Sequence, residues 1–220
     1  MIRERQIQTP TASIEIRPLD SGRLEQAATL LAHGMRDNPV HVEAFGADPA
    51  HRQQRLARFL GHLVAYVQAN GQLLGACVDG ELVGVLGMMK PGRCRPGLMD
   101  WLRFAGMIVA NNPPGNVLRI RRWLSVWANN DPVEPHWHIG PLAVLPAYRR
   151  RGIGRRLMSH CCAQMDELSA TAYLETDMAI NVAFYETFGF VVIGHALVLG
   201  TPNWFMIRPP SRRLADAPHS

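Results

Sequence analysis

The stretch Gly140–Leu157, GPLAVLPAYRRRGIGRRL, gathers the residue types that hold an anion. Gly152 and Gly154 remove Cβ atoms where backbone must come close to a ligand. An amphipathic helix starts at that turn. The first N–H groups of a helix have no internal partner and lie at the positive end of its dipole. Arg149, Arg150, Arg151, Arg155 and Arg156 flank the turn. A guanidinium can hold phosphate oxygens in pairs. The chemistry expected is a phosphate cradle; on spacing alone, a glycine turn with surface arginines competes with it. Other phosphate motifs fit worse. A Walker loop needs Lys-Ser/Thr after its last glycine, and Arg155-Arg156 follows here. A dinucleotide fingerprint needs three glycines, and only Gly152-x-Gly154 is present.

A second set of titratable side chains lies upstream. His136 and His138 alternate on one strand and so share a face. An imidazole near pKa 6.5 is a credible base for an amine. The pair also resembles half of a metal site, but no third ligand is evident along the chain, so no metal is expected. Glu134 and Glu175 are further carboxylate candidates. The cysteines, Cys77, Cys94, Cys161 and Cys162, form no CxxC pair and read as reduced thiols of a cytoplasmic protein.

These residues need a scaffold. Ser13–Leu19 alternates apolar and polar residues and reads as a strand. A helix follows to about Met35, with Asp37-Asn38-Pro39 expected to end it. A second helix runs from Asp48-Pro49 to about Asn70. Strands at Gln72–Val78 and Leu82–Met89 are joined by Asp79-Gly80, a strong hairpin turn. Residues 91–135 change character. They carry two helix-like blocks and Trp101, Trp123 and Trp127, and read as a helical insertion; Arg119, Arg121 and Arg122 suggest a basic face on it. Then come a strand from His136 to Val144, a helix from Gly152 to Leu168 and a strand at Ala172–Thr176. A helix near Ala179–Thr187 and strands at Gly189–Leu197 and Trp204–Arg208 complete the pattern.

Val144 followed by Arg149-Arg150-Arg151-Gly152-Ile153-Gly154 resembles the R/Q-x-x-G-x-G/A motif of the GNAT superfamily of acyl-CoA-dependent N-acetyltransferases. Downstream, Asn181 to Phe190 (NVAFYETFGF) resembles that family's N-x-x-x-Y-x-x-x-GF segment, and the element order is similar too. The resemblance implies an α+β fold with α/β/α layers: a mixed, mostly antiparallel central sheet of six to seven strands, flanked by helices. The 91–135 insertion before the fourth strand departs from the minimal pattern. The resemblance implies acetyl transfer from acetyl-CoA to a primary amine of a small molecule or peptide by direct attack. The alternative is a non-catalytic acyl-CoA sensor on the same fold.

It also implies residue roles. The CoA pyrophosphate would sit on backbone N–H groups of Arg149, Arg150, Arg151, Gly152, Ile153 and Gly154, with Arg155 close by. The pantetheine arm would pair with Leu142, Ala143 and Val144 where the strand splays from its neighbour, and Pro141 suits a bulge there. The Val144 N–H is the oxyanion donor, Tyr185 the general acid, and Asn181 a cofactor support. Some members of the family place a glutamate base six residues before that valine, and His138 stands at this position; a packed strand histidine, or a substrate contact with water relaying the proton, are the competing readings.

Length and composition are consistent with this. The chain has 220 residues, 47% hydrophobic and 19% charged, enough for one domain with a real core. Residues 13–208 are expected to form that domain, with flexible termini at 1–12 and 209–220. No apolar run approaches the ~18–20 residues of a membrane span, and the N-terminus lacks the apolar core of a secretory signal. Net charge is +5, and Lys90 is the only Lys among 23 basic residues. No DNA-binding motif or base-stacking pattern is found, so neither nucleic acid nor membrane is an expected partner. A homodimer is common in the family.

Overall fold

The computed structural model describes residues 13–210. The loose arm expected at 1–12 and most of the tail expected at 209–220 lie outside the described residues. Seven strands form one sheet in the order β1-β2-β3-β4-β5-β7-β6. They are β1 (Ile14–Pro18), β2 (Gly71–Val78), β3 (Glu81–Met89), β4 (Trp137–Val144), β5 (Ala172–Thr176), β6 (Val191–Val198) and β7 (Thr201–Arg208). Every neighbouring pair is antiparallel except β4 with β5, which is parallel. The mixed sheet expected from the resemblance is present.

Asp79 and Gly80 turn β2 into β3 with φ of 50° and 84°. Two positive φ values in a two-residue turn match the right-handed twist of the strands. Each sheet face has its own core. On one face lie α1 (Leu24–Met35), α2 (Pro39–Phe45), α3 (Pro49–Asn70), α4 (Leu98–Asn111) and α5 (Pro114–Asn130). They bury Leu31, Phe45, Leu56, Val64 and Trp123. On the other face lie α6 (Ile153–Glu167) and α7 (Ala179–Glu186). They bury Leu157, Met158, Cys161, Met165 and Tyr185. Among the described residues, no helix is long and apolar enough to cross a membrane.

The insertion consists of α4 and α5. Trp123 anchors it: its ring stacks on Phe59 at 5.5 Å and meets His41, Phe45 and Trp127 edge-on. Trp127 is half-buried and donates Nε1–H to Asn203 Oδ1 at 3.0 Å. Trp101 is exposed. Two of the three tryptophans therefore pack the insertion onto the domain and do not line an open pocket.

The first helix ends at Met35, before Asp37-Asn38-Pro39, as expected. Pro39 then opens α2, a helix that the sequence reading does not contain. Proline has no N–H to lose in a first helical turn, and its φ is already helical. The cap comes from far along the chain: Asp177, just past β5, accepts from Val40 N at 2.9 Å and from Asn38 Nδ2 at 3.3 Å. Replacing Asp177 by Ala should cost about 1 kcal/mol, as for other helix caps. A chain of this size should then melt about 2–4 °C lower by calorimetry.

Candidate functional site

The site begins where β4 leaves β5. The parallel ladder pairs only Trp137 with Ala172 and His138 with Tyr173. On its other side β4 stays paired with β3 as far as Val144. From Ile139 to Val144, then, the β5-facing edge of β4 has no ladder partner. Backbone donors and acceptors on such an edge are available to an extended ligand. A bulge helps to open it. Leu86 pairs with Leu142 and Met88 with Ile139, so Gly140 and Pro141 together oppose Gly87 alone. The bulge expected at Pro141 is present. Gly87 has to be glycine, because a Cβ there would run into the Gly140 carbonyl.

The open edge ends at the N-terminus of α6. Gly152 is the N-cap, with φ 77° and no side-chain cap. The first bond of the helix runs from Arg156 N to Gly152 O. The N–H groups of Ile153, Gly154 and Arg155 thus precede the first internal bond and project from the positive end of the dipole. Arg150 and Gly152 both have positive φ, a backbone shape that turns successive N–H groups into a concavity. A Cβ on Gly154 would meet nothing nearer than 3.8 Å, so the ground in front of it is open.

The arginines divide their work. Arg149 donates Nη2–H to the Gly34 carbonyl at 2.7 Å, tying the end of α1 to the turn. Gly34 allows that approach, since a Cβ there would lie 2.7 Å from the Ala143 Cβ. Arg151 lies over the Tyr148 ring at 5.1 Å and Arg155 over Phe188 at 5.5 Å. Both are exposed at the mouth of the turn. Arg156 points the other way, to the Ile14 carbonyl of β1 at 3.5 Å. The fifth arginine of the cluster therefore serves the sheet.

Tyr185 is buried on α7, with its ring 5.3 Å from Phe184 and 6.0 Å from Phe190. Burial, then the charges of Asp177 and Cys161, push its phenol pKa up, so it keeps its proton well above neutrality. Asn181 donates Nδ2–H to the Thr176 hydroxyl at 3.2 Å, across the top of β5.

His138 occupies a different setting from the one its sequence position suggests. Its Nε2 lies 2.8 Å from Glu175 Oε2 and its Nδ1 3.6 Å from Asp131 Oδ1. His136 Nε2 lies 3.2 Å from the same Asp131 oxygen, and Cys94 Sγ 3.7 Å from that Nε2. One ligand atom each from Cys94, Asp131, His136 and His138 falls within 4.8 Å of the others. Tyr173 packs edge-on against both rings, at 5.2 and 5.4 Å. Burial opposes every charge in this cluster, but its members outweigh that. Asp131 beside the two imidazoles stays far below the carboxylate range, and the Cys94 thiol is lowered. His136 rises to about 10, and His138, next to Glu175, rises as well. Sequence spacing missed Cys94 and Asp131 because they stand at opposite ends of the insertion.

The model of the acetyltransferase (GNAT) family matches residues 65–190. The fold is similar to that of a histone acetyltransferase HPA2 and related acetyltransferase from Corynebacterium glutamicum, with TM-score 0.70. That protein is 18% identical over 92% of this chain and 99% of its own. It is also similar to a polyamine N-acetyltransferase of Drosophila melanogaster, at TM-score 0.60 and 17% identity over 90% of this chain and 100% of that one. A third relative in fold is a GNAT family acetyltransferase from Brucella melitensis in complex with acetyl-CoA, at TM-score 0.51 and 17% identity. The match covers 90% of this chain and 88% of that one.

Proposed function

The chain belongs to the acetyltransferase (GNAT) family, and from that premise we propose that it moves an acetyl group from acetyl-CoA to a primary amine of a small molecule or peptide. One observation carries the reading. The unpaired edge of β4 runs directly into the uncapped N-terminus of α6. An extended arm with amide groups and a pyrophosphate at one end fits those two features in that order. Leu142, Ala143 and Val144 pair with the arm, while N–H groups from Arg149 to Gly154 take the phosphates, with Arg151 and Arg155 adding charge at the mouth. Arg149 braces the Gly34 carbonyl and Asn181 the Thr176 hydroxyl beside the site.

Acetyl-CoA supplies an acyl group already activated as a thioester. The protein contributes alignment and proton transfer. The amine nitrogen bonds to the carbonyl carbon, the carbon–sulfur bond breaks, and Tyr185 hands its proton to the departing sulfur. The Val144 N–H faces the oxygen that gains charge. The amine's own proton leaves through water. His138 is not given that task here, because both of its ring nitrogens face carboxylates and neither presents a free lone pair to the splay.

The test is release of free thiol from acetyl-CoA over a panel of amines, with calorimetry alongside. Binding with turnover on some amine is expected. Binding with no turnover on any would favour the sensor reading, and the absence of both heat and thermal shift with saturating acetyl-CoA would sink both. Gly154→Asp gives a sharper check. A carboxylate in the first helical turn suits the dipole and should leave stability equal or slightly higher. The same carboxylate repels the pyrophosphate and blocks its approach. Losing hydrogen bonds to a charged group costs about 1.5–3 kcal/mol. The KM for acetyl-CoA should therefore rise roughly 10- to 100-fold.

A further inference from the structure

We propose that Cys94, Asp131, His136 and His138 form a four-ligand zinc site that clamps both ends of the helical insertion onto β4. Cys94 lies in the segment 90–97 that leads from β3 into α4, and Asp131 directly follows α5. The two histidines belong to the entry and second residue of β4. The insertion is thus held at its start and its finish by side chains that meet at one point.

Three independent features point to a metal. The first is spacing. In a tetrahedral site with Zn–N and Zn–O near 2.1 Å and Zn–S near 2.3 Å, ligand atoms stand about 3.3–3.6 Å apart. The nitrogen–oxygen separations here are 3.2 and 3.6 Å, and the sulfur–nitrogen separation is 3.7 Å.

The second feature is the outer partner of each imidazole. His136 Nδ1 donates to the Glu134 carbonyl at 2.8 Å, which fixes its proton there and turns the Nε2 lone pair inward. His138 Nε2 lies 2.8 Å from Glu175 Oε2, so its Nδ1 lone pair turns inward too. Metal-bound histidines almost always hand their other N–H to a carbonyl or carboxylate in this way.

The third feature is an orphan. His138 Nδ1 is buried and has no hydrogen-bond partner in the protein, and 3.6 Å to Asp131 is too long for one. A buried polar atom left so requires an explanation, and a cation within the cluster provides it.

Charge balances as well. Zinc binding releases the Cys94 thiol proton and the second proton of each imidazolium to solvent. One thiolate, one carboxylate and two neutral imidazoles then balance Zn²⁺ within the four ligands, and the buried Glu175 carboxylate stands outside them as the partner of His138. Four protein ligands make a closed, structural site. A mixed sulfur, nitrogen and oxygen set suits borderline-soft Zn²⁺ better than Mg²⁺ or Ca²⁺.

The experiment uses the full chain. Elemental analysis of protein prepared with zinc present should find about one Zn per chain. Stripped protein titrated with Co²⁺ should give tetrahedral visible bands and a near-ultraviolet thiolate-to-cobalt band. Cys94→Ser should abolish the thiolate band. Glu175→Gln leaves all four ligands in place and should weaken zinc about 10- to 100-fold through His138. Wild-type protein that neither retains zinc nor develops the cobalt spectrum overturns the proposal, whatever the variants do. So does an undiminished thiolate band in Cys94→Ser. None of these readouts needs acetyl transfer, so the site and the proposed activity stand or fall separately.

Discussion

Tyr185→Phe is expected to lower kcat by about 10²- to 10⁴-fold, the usual worth of a placed general acid or base. The KM for acetyl-CoA should hardly move. The substitution is clean because the ring stays: Phe keeps the contacts with Phe184 and Phe190 and removes only the hydroxyl. Stability should therefore change little, and a circular dichroism melt would show it. The pH profile adds a second readout. The phenol's raised pKa keeps it protonated through the working range. Loss of rate with rising pH should therefore not set in near pH 10, where an ordinary tyrosine ionises. If the variant turns over at the wild-type rate on an amine that the wild type accepts, Tyr185 has no part in the proton transfer.

The contrast between Tyr185 and His138 shows what a sequence can carry. Tyr185, Asn181 and the Gly152-x-Gly154 turn are local features. Their roles depend on neighbours a few residues away, and periodicity with a motif was enough to place them on α7 and at the head of α6. The β4 bulge was legible for the same reason, since Gly140-Pro141 cannot keep a regular ladder. His138 depends on partners from four segments, among them Asp131 at the end of the insertion and Glu175 on β5. No spacing rule joins Cys94 to His136 across 42 residues. The only sequence signal was the His136-x-His138 pair itself. It carries no information about a thiol or a carboxylate at the insertion's two ends. The short helix α2 escaped the sequence reading in a related way: Asp177, 137 residues beyond Val40, supplies the cap that its own flank lacks.

Arg52→Met is expected to cause a large loss of stability. Arg52 projects from α3 into the corner where α1, α2 and α3 meet, and its side chain is 5% exposed. Nε donates to the Arg36 carbonyl at 2.8 Å, and Nη1 to the Gly46 and Ala47 carbonyls at 2.8 and 2.9 Å. Nη2 donates to Asp37 Oδ1 at 2.7 Å. One planar group thus satisfies the chain on both sides of α2, a task that a lysine ammonium could share only in part. Methionine matches the stem but leaves three carbonyls without that donor. Losing hydrogen bonds to a charged group costs about 1.5–3 kcal/mol, and losing several at one corner should lower the melting point by on the order of 10 °C. The acid limb separates the ion pair from the carbonyl contacts. Arg36 first, then Arg52, hold the Asp37 carboxyl at a pKa of about 2, against 3.8 unperturbed. A depressed pKa adds stability that is complete above the unfolded value and lost as pH falls toward about 2. Asp37 is 60% exposed, so water screens the pair and this part is small. Arg52→Met should accordingly flatten the fall in melting temperature between pH 5 and pH 2 only slightly, because Arg36 still faces Asp37, while lowering the whole curve. A variant curve that meets the wild type once Asp37 is protonated would show instead that the ion pair, and not the carbonyl clamp, carries the corner.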